Sequence, residues 1–116
     1  MSKLPFADEA VIDERKITGY LLAESHAAGW AKAVFFRRLG FRIAAWPVLR
    51  KALLDHARVT DIAKTIETEF GRKYILLGTL AAPNGSTPLI QTVWFAEFDE
   101  RLPRFVTAYP AREQER

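Results

Sequence analysis

The hydrophobic period changes at Thr60. Before it, apolar residues recur at three- and four-residue steps; after it, they alternate in twos. A period near 3.6 puts side chains on one face of a helix, and a period of 2 puts them on one face of a strand. The chain therefore predicts helices first and a sheet last, an α+β architecture. After Thr60, "DIAKTIETEF", "KYILLGTLAA", "LIQTVWFAEF" and "RFVTAYP" read as four strands. They are separated by a tight turn at Gly71-Arg72, the hairpin signal "PNGST" and the segment "DERLP". Short connections between successive strands give an antiparallel meander.

Three N-terminal helices are expected to pack on this four-stranded sheet. Asp13 caps the first, with Ile17, Tyr20 and Leu21 as its apolar stripe. Ser25 caps the second, which ends near Leu39 with Gly40 in the C′ position. Its inward stripe is Ala28, Ala31, Val34, Phe35 and Leu39. Pro47 opens the third, whose face carries Leu49, Ala52, Leu53 and His56. The expected core is Tyr20, Leu21, Val34, Phe35, Leu39, Leu49, Leu53, Ile75, Leu77, Val93 and Phe95. A shift of one register would bury Tyr74, Leu76, Trp94 and Phe98 instead.

At 116 residues the chain reads as a single domain: an arm over 1–12, a helical half over 13–58, a sheet over 60–110 and a tail over 111–116. Its 49% apolar and 27% charged content is that of a globular protein. No apolar run approaches the roughly 18 residues of a membrane span. The N-terminal "MSKLPFADEA" is unlike a signal peptide, so a cytoplasmic protein that does not engage a membrane is expected. With no cysteine, disulfides, thiolate metal sites and cysteine nucleophiles are excluded. Oligomeric state is not readable from the sequence.

Charge is unevenly spread. From His26 to Arg58 seven basic residues face one acid, a segment charge of +6 within a net +3. A basic middle suits an anionic partner, most commonly nucleic acid, or is a solvated face.

Neither a metal nor a cofactor is expected. The two histidines, His26 and His56, have no metal-ligand spacing, and there is no glycine-rich phosphate loop or Gly-x-Ser-x-Gly elbow. His26 opens the stretch "SHAAGWAKAVFFRRLGF" at a helix N-terminus, where the dipole disfavours imidazolium and suits a general base. The simpler reading is a capping-region histidine packed at the helix start. His56 reads as structural. Lys32, among small and aromatic neighbours, either meets a ligand or snorkels past the helix. Phe105, Thr107 and Tyr109 share one strand face, and Thr92, Trp94, Ala96 and Phe98 share another. The paired hydroxyls of Thr107 and Tyr109 beside a cation can hold a phosphate, though both residue types are also simply good strand formers.

The stretches "KITGYLLAESHAAGWAKAVFFRRLGF" and "QTVWFAEFDERLPRFVTAYP" resemble a group of small bacterial domains. Their pattern is K-L-x-x-Y-L-L, then H-x-x-G-x-x-K-A-x-F-F-x-x-L-G-F, then T-V-W and P-R-x-V-T-A-Y-P. The likeness spans about residues 13 to 110 and departs at Ala27-Ala28. The order of helices then meander is also similar to the metal-independent ribonucleases that include barnase, EndoU, colicin tRNases and RelE, many of them toxins. What the resemblance implies is a toxin-type endoribonuclease acting by general acid/base catalysis, neutralised by a cognate antitoxin or immunity protein. His26 would be the base or acid, Lys32 and Arg104 would hold the phosphate, and Thr107 and Tyr109 would donate hydroxyls. Trp30, Arg37, Thr92 and Trp94 would contact substrate, with Trp30 or Trp94 stacking a base. The alternative is a non-catalytic module that binds nucleic acid or protein, through its basic half or an exposed strand edge.

Overall fold

The computed structural model describes residues 2–23 and 30–111, Trp30 through its backbone alone. It is α+β, with helices α1 (Glu14–Lys16), α2 (Trp30–Arg38) and α3 (Trp46–Val59) and strands β1 (Ile62–Glu67), β2 (Gly71–Thr79), β3 (Leu89–Glu97) and β4 (Arg104–Pro110). The strands form one antiparallel sheet in the order β1-β2-β3-β4.

Asp13 caps α1, its carboxylate accepting from the Arg15 backbone N–H at 2.9 Å. The helix is a single turn because it runs straight into a π-turn over Ile17–Leu21. There the Leu22 N–H reaches back five residues to the Ile17 carbonyl at 2.8 Å. The Thr18 hydroxyl bonds the Glu14 carbonyl at 3.2 Å, a back-bond that bends helices. Ile17 and Leu21 are buried by this turn, and Tyr20 is left half-buried between them. Single π-turns of this kind recur at functional sites.

Gly40 ends α2 as expected. Its φ of +101° is a conformation L side chains rarely adopt, and an added Cβ would lie 3.0 Å from the Cβ of Pro83 in the β2–β3 loop. The Leu39 carbonyl accepts from the Asn84 N–H at 3.0 Å, tying that loop to the helix end. The buried stripe of α2 is Ala33 and Phe36, continued by Leu39 just past its end. Val34 and Phe35, expected inside, are half-buried, so the helix is rotated from the sequence reading. In α3 the buried face is Leu49, Leu53, His56 and Ala57.

The core lies between these helices and one sheet face, made of Tyr74, Leu76, Ile90, Trp94, Phe105 and Ala108. This is the alternative register. Ile75 and Phe95 are half-buried and Leu77 is 40% exposed, while Val93 is buried. Phe98, expected to be buried in that register, is instead 59% exposed. Both parities of β2 and β3 are apolar, so periodicity could not choose which one meets the helices.

Residues 2–12, expected as an arm, fasten both edges of the sheet. Lys3 bridges to Asp61 before β1, and Val11 bridges to Arg104 at the start of β4. Leu4 and Ile12 are each 3% exposed and join the core. Covering edge strands in this way removes a template for aggregation.

One irregularity decides the geometry of β4. Val93 pairs with Thr107, but Trp94 pairs with Phe105, so Val106 is an extra residue in a β-bulge. Strict alternation would put Phe105, Thr107 and Tyr109 on one face. With the bulge, Phe105 and Ala108 are buried together, and Thr107 and Tyr109 stand half-buried beside Val93 and Gln91 on the other side.

Candidate functional site

The bulge and the π-turn bring two segments together. Lys32 on α2 donates from Nζ to the Tyr20 hydroxyl at 2.7 Å, and that hydroxyl shares a 3.3 Å hydrogen bond with the Thr107 hydroxyl. Lys32 Nζ lies 5.1 Å from the Tyr20 ring centroid and 5.9 Å from that of Tyr109. The Tyr109 hydroxyl accepts from Gln91 Nε2 at 2.6 Å, which fixes the ring beside the lysine. Lys16, one turn before Tyr20, holds its ammonium 5.9 Å from the Tyr20 ring. All of these side chains except Gln91 and Thr107 are aromatic or cationic, and all are half-buried.

The electrostatics follow from that arrangement. Burial pushes the Tyr20 phenol up. Hydrogen bonds with Lys32 and Thr107, and the charges of Lys32 and Lys16, outweigh it and hold the phenol below its ordinary value. Lys32 forms no ion pair among the described residues, so its charge is directed at hydroxyls and ring faces. A cation bonded to a phenol that meets a second hydroxyl can bind an anionic oxygen and can pass a proton through the phenol.

Of the expected site residues, Lys32, Thr107 and Tyr109 are thus neighbours. Arg104 is engaged elsewhere: it ion-pairs with Glu97 at 2.8 Å and Glu100 at 3.7 Å, and lies 5.6 Å from the Phe95 ring centroid. Thr92 and Trp94, expected to contact substrate, are fully buried, and that expectation is corrected. Trp94 Nε1–H donates to the Thr92 hydroxyl at 2.9 Å, which meets His56 Nε2 at 2.9 Å, while His56 Nδ1 lies 3.0 Å from the Thr79 carbonyl. These three residues form an internal polar chain that no base or phosphate reaches. His56 is structural, as its sequence position implied. Arg37 is half-buried on α2, with Nη1 lacking a hydrogen-bond partner among the described residues. His26 and the Trp30 side chain lie outside the described residues.

Tyr20 is the residue that sequence reasoning missed. Its spacing from Ile17 and Leu21 assigned it to the apolar stripe, and the phenol at its tip was the one signal against that. Among the described residues no group of three or more histidines and carboxylates is placed to hold a metal ion. No described helix is long and apolar enough to cross a membrane.

The family model for DUF6883, a domain of unknown function, matches residues 3–112. The chain belongs to that family. The match includes Lys16, Tyr20, Lys32, Thr107 and Tyr109, so the whole cluster is internal to the DUF6883 domain. No curated protein matches the chain. Among solved structures it is similar to a chain of the contact-dependent growth inhibition toxin–immunity protein complex from Klebsiella pneumoniae 342. The two share 20% identity over 88% of this chain and 100% of that one, with a TM-score of 0.69. That likeness is one of fold.

Proposed function

We propose that this DUF6883 domain is a small metal-independent endoribonuclease of toxin type. The observation that carries the reading is the Lys32–Tyr20–Thr107 cluster, a cation hydrogen-bonded to a phenol that in turn shares a hydrogen bond with a second hydroxyl. RNA cleavage by its own 2′-hydroxyl needs a base for the 2′ proton, a cation for the charge growing on the phosphorus oxygens, and an acid for the leaving 5′-oxygen. Lys32 takes a non-bridging oxygen, with Thr107 as a further donor. Tyr20, its phenol eased by Lys32, gives its proton to the 5′-oxygen as the P–O5′ bond breaks. His26 is the base that takes the 2′ proton as the new O2′–P bond forms. Tyr109, oriented by Gln91, lies against the lysine and the ribose side of the substrate. Arg104 contributes charge from the head of β4.

The fold likeness to a chain from a toxin–immunity complex favours a cognate antitoxin or immunity protein as the second partner. Such a protein would cover the Lys32 cluster and silence it. The competing reading is a non-catalytic module that uses the same basic surface to bind nucleic acid or protein. Purified domain incubated with RNA and EDTA separates them. Cleavage that is lost in Lys32→Ala and Tyr20→Phe supports the ribonuclease, and intact RNA under all conditions supports the module.

A further inference from the structure

A cleft of about 540 Å³ opens beside the Lys32 cluster. Asp13 and Lys16 line it from α1 and its cap, and Lys73, Phe95 and Arg104 line it from the sheet. The size is that of a small-ligand pocket. Three cations face one carboxylate, and that carboxylate is already taken up by Arg15, at 2.9 Å from its backbone and 3.1 Å from its side chain. Arg104 is partly balanced by Glu97 and Glu100. Lys16 and Lys73 form no ion pair among the described residues, so their charge is available to a ligand. The floor is also specific: the Arg104 guanidinium lies over the half-buried Phe95 ring. Unpaired bases stack on aromatic rings and on guanidinium planes alike.

The cleft and the cluster are joined at two points. Lys16 belongs to both, lining the cleft while its ammonium reaches the Tyr20 ring. Val106, the extra residue of the bulge, lines the cleft and precedes Thr107. We infer that this cleft is the subsite for the nucleotide adjoining the scissile phosphate, holding its phosphate with Lys16 and Lys73 and stacking its base on Arg104 and Phe95. The inference rests on the ribonuclease reading for the word "scissile", and on the cleft alone for the binding. A stacked base must be unpaired, so the ligand is single-stranded RNA. No described residue of the lining is dedicated to a 2′-hydroxyl, so a DNA strand of the same sequence also fits.

That last point supplies an uncleavable probe. A labelled single-stranded DNA hexamer is titrated with the full chain, followed by fluorescence anisotropy at several salt concentrations. Lys16→Ala/Lys73→Ala is expected to weaken binding about tenfold or more and to flatten the salt slope by roughly 0.7 for each phosphate no longer neutralised. Phe95→Leu is expected to weaken binding about fivefold or more through reduced stacking, with the slope unchanged. A duplex of the same sequence should bind more weakly than the single strand. Wild-type affinity and slope in the double-lysine variant, or equal affinity for duplex, would overturn the subsite. If the wild type cuts RNA while the double-lysine variant keeps both its KM and its hexamer affinity, the subsite fails and the ribonuclease stands. If the hexamer binds through these lysines and RNA stays intact, the nuclease reading fails and the cleft stands as a single-strand site.

Discussion

Lys32 Nζ meets the Tyr20 hydroxyl at 2.7 Å, twelve residues back along the chain and across the junction between α2 and the π-turn. The pair defines the candidate site, because the lysine positions the phenol and lowers the cost of removing its proton. Replacing Lys32 with methionine keeps the stem and removes the charge. The Tyr20 phenol then loses its strongest opposing influence to burial, so its pKa rises in a tyrosinate absorbance titration. RNA cleavage should fall by about 10²-fold, the scale for losing one preorganised donor to transition-state charge.

Tyr20→Phe and Thr107→Val test the hydroxyls separately. Tyr20→Phe retains the ring that packs beside Ile17 and Leu21, so its melting temperature should stay near that of the wild type while cleavage is lost. Thr107→Val retains the branched shape and should cost about tenfold, since its hydroxyl is a supporting donor at 3.3 Å. Rate assays paired with thermal melts check both. Loss of folding in Tyr20→Phe, or full activity in both variants, would assign the cluster to structure alone.

The buried His56 makes stability depend on pH. The Thr79 carbonyl can only accept, so His56 Nδ1 carries the proton, and Nε2 accepts from the Thr92 hydroxyl, which itself accepts from Trp94. Burial lowers the His56 pKa, with the Thr79 hydrogen bond opposing it weakly. The folded state thus binds fewer protons than the unfolded one. Stability from this group is complete above the unfolded value of about 6.5 and is lost progressively as pH falls below it. Thermal midpoints measured from pH 8 to 5 should show that decline. His56→Leu should flatten it, at a cost of about 1–3 kcal/mol for leaving the buried Thr92 hydroxyl without its acceptor.

Glycines divide by what surrounds them. Gly71→Ala would place a Cβ 2.3 Å from the Ala96 carbonyl oxygen and 2.8 Å from Glu97 Cα, both backbone, so β2 and β3 must separate. Gly40→Ala must hold φ +101° against Pro83. Each should lower stability by about 1–3 kcal/mol or more in urea unfolding. Gly19→Ala, with no atom of the described residues within 4 Å of the added carbon, should be neutral or stabilise by up to about 1 kcal/mol.

The order of elements is written in the chain itself, because a change of hydrophobic period from 3.6 to 2 is a local property. The Asp13 cap, the Gly40 terminus and all four strands are equally legible there, since their signals sit within a few residues of each boundary. Lys32, Thr107 and Tyr109 stand out as candidates from residue type and spacing. How they meet is a matter of packing between distant segments. Alternation states that two faces exist but not which one meets the helices, and with both parities of β2 and β3 apolar the choice fell to packing. That choice sent Thr92 and Trp94 into the core. The Val106 bulge, which carries no glycine to announce it, turned Thr107 and Tyr109 away from Phe105. The π-turn then set the Tyr20 hydroxyl against Lys32 and Thr107, residues 12 and 87 positions along the chain, a relation that no local pattern encodes.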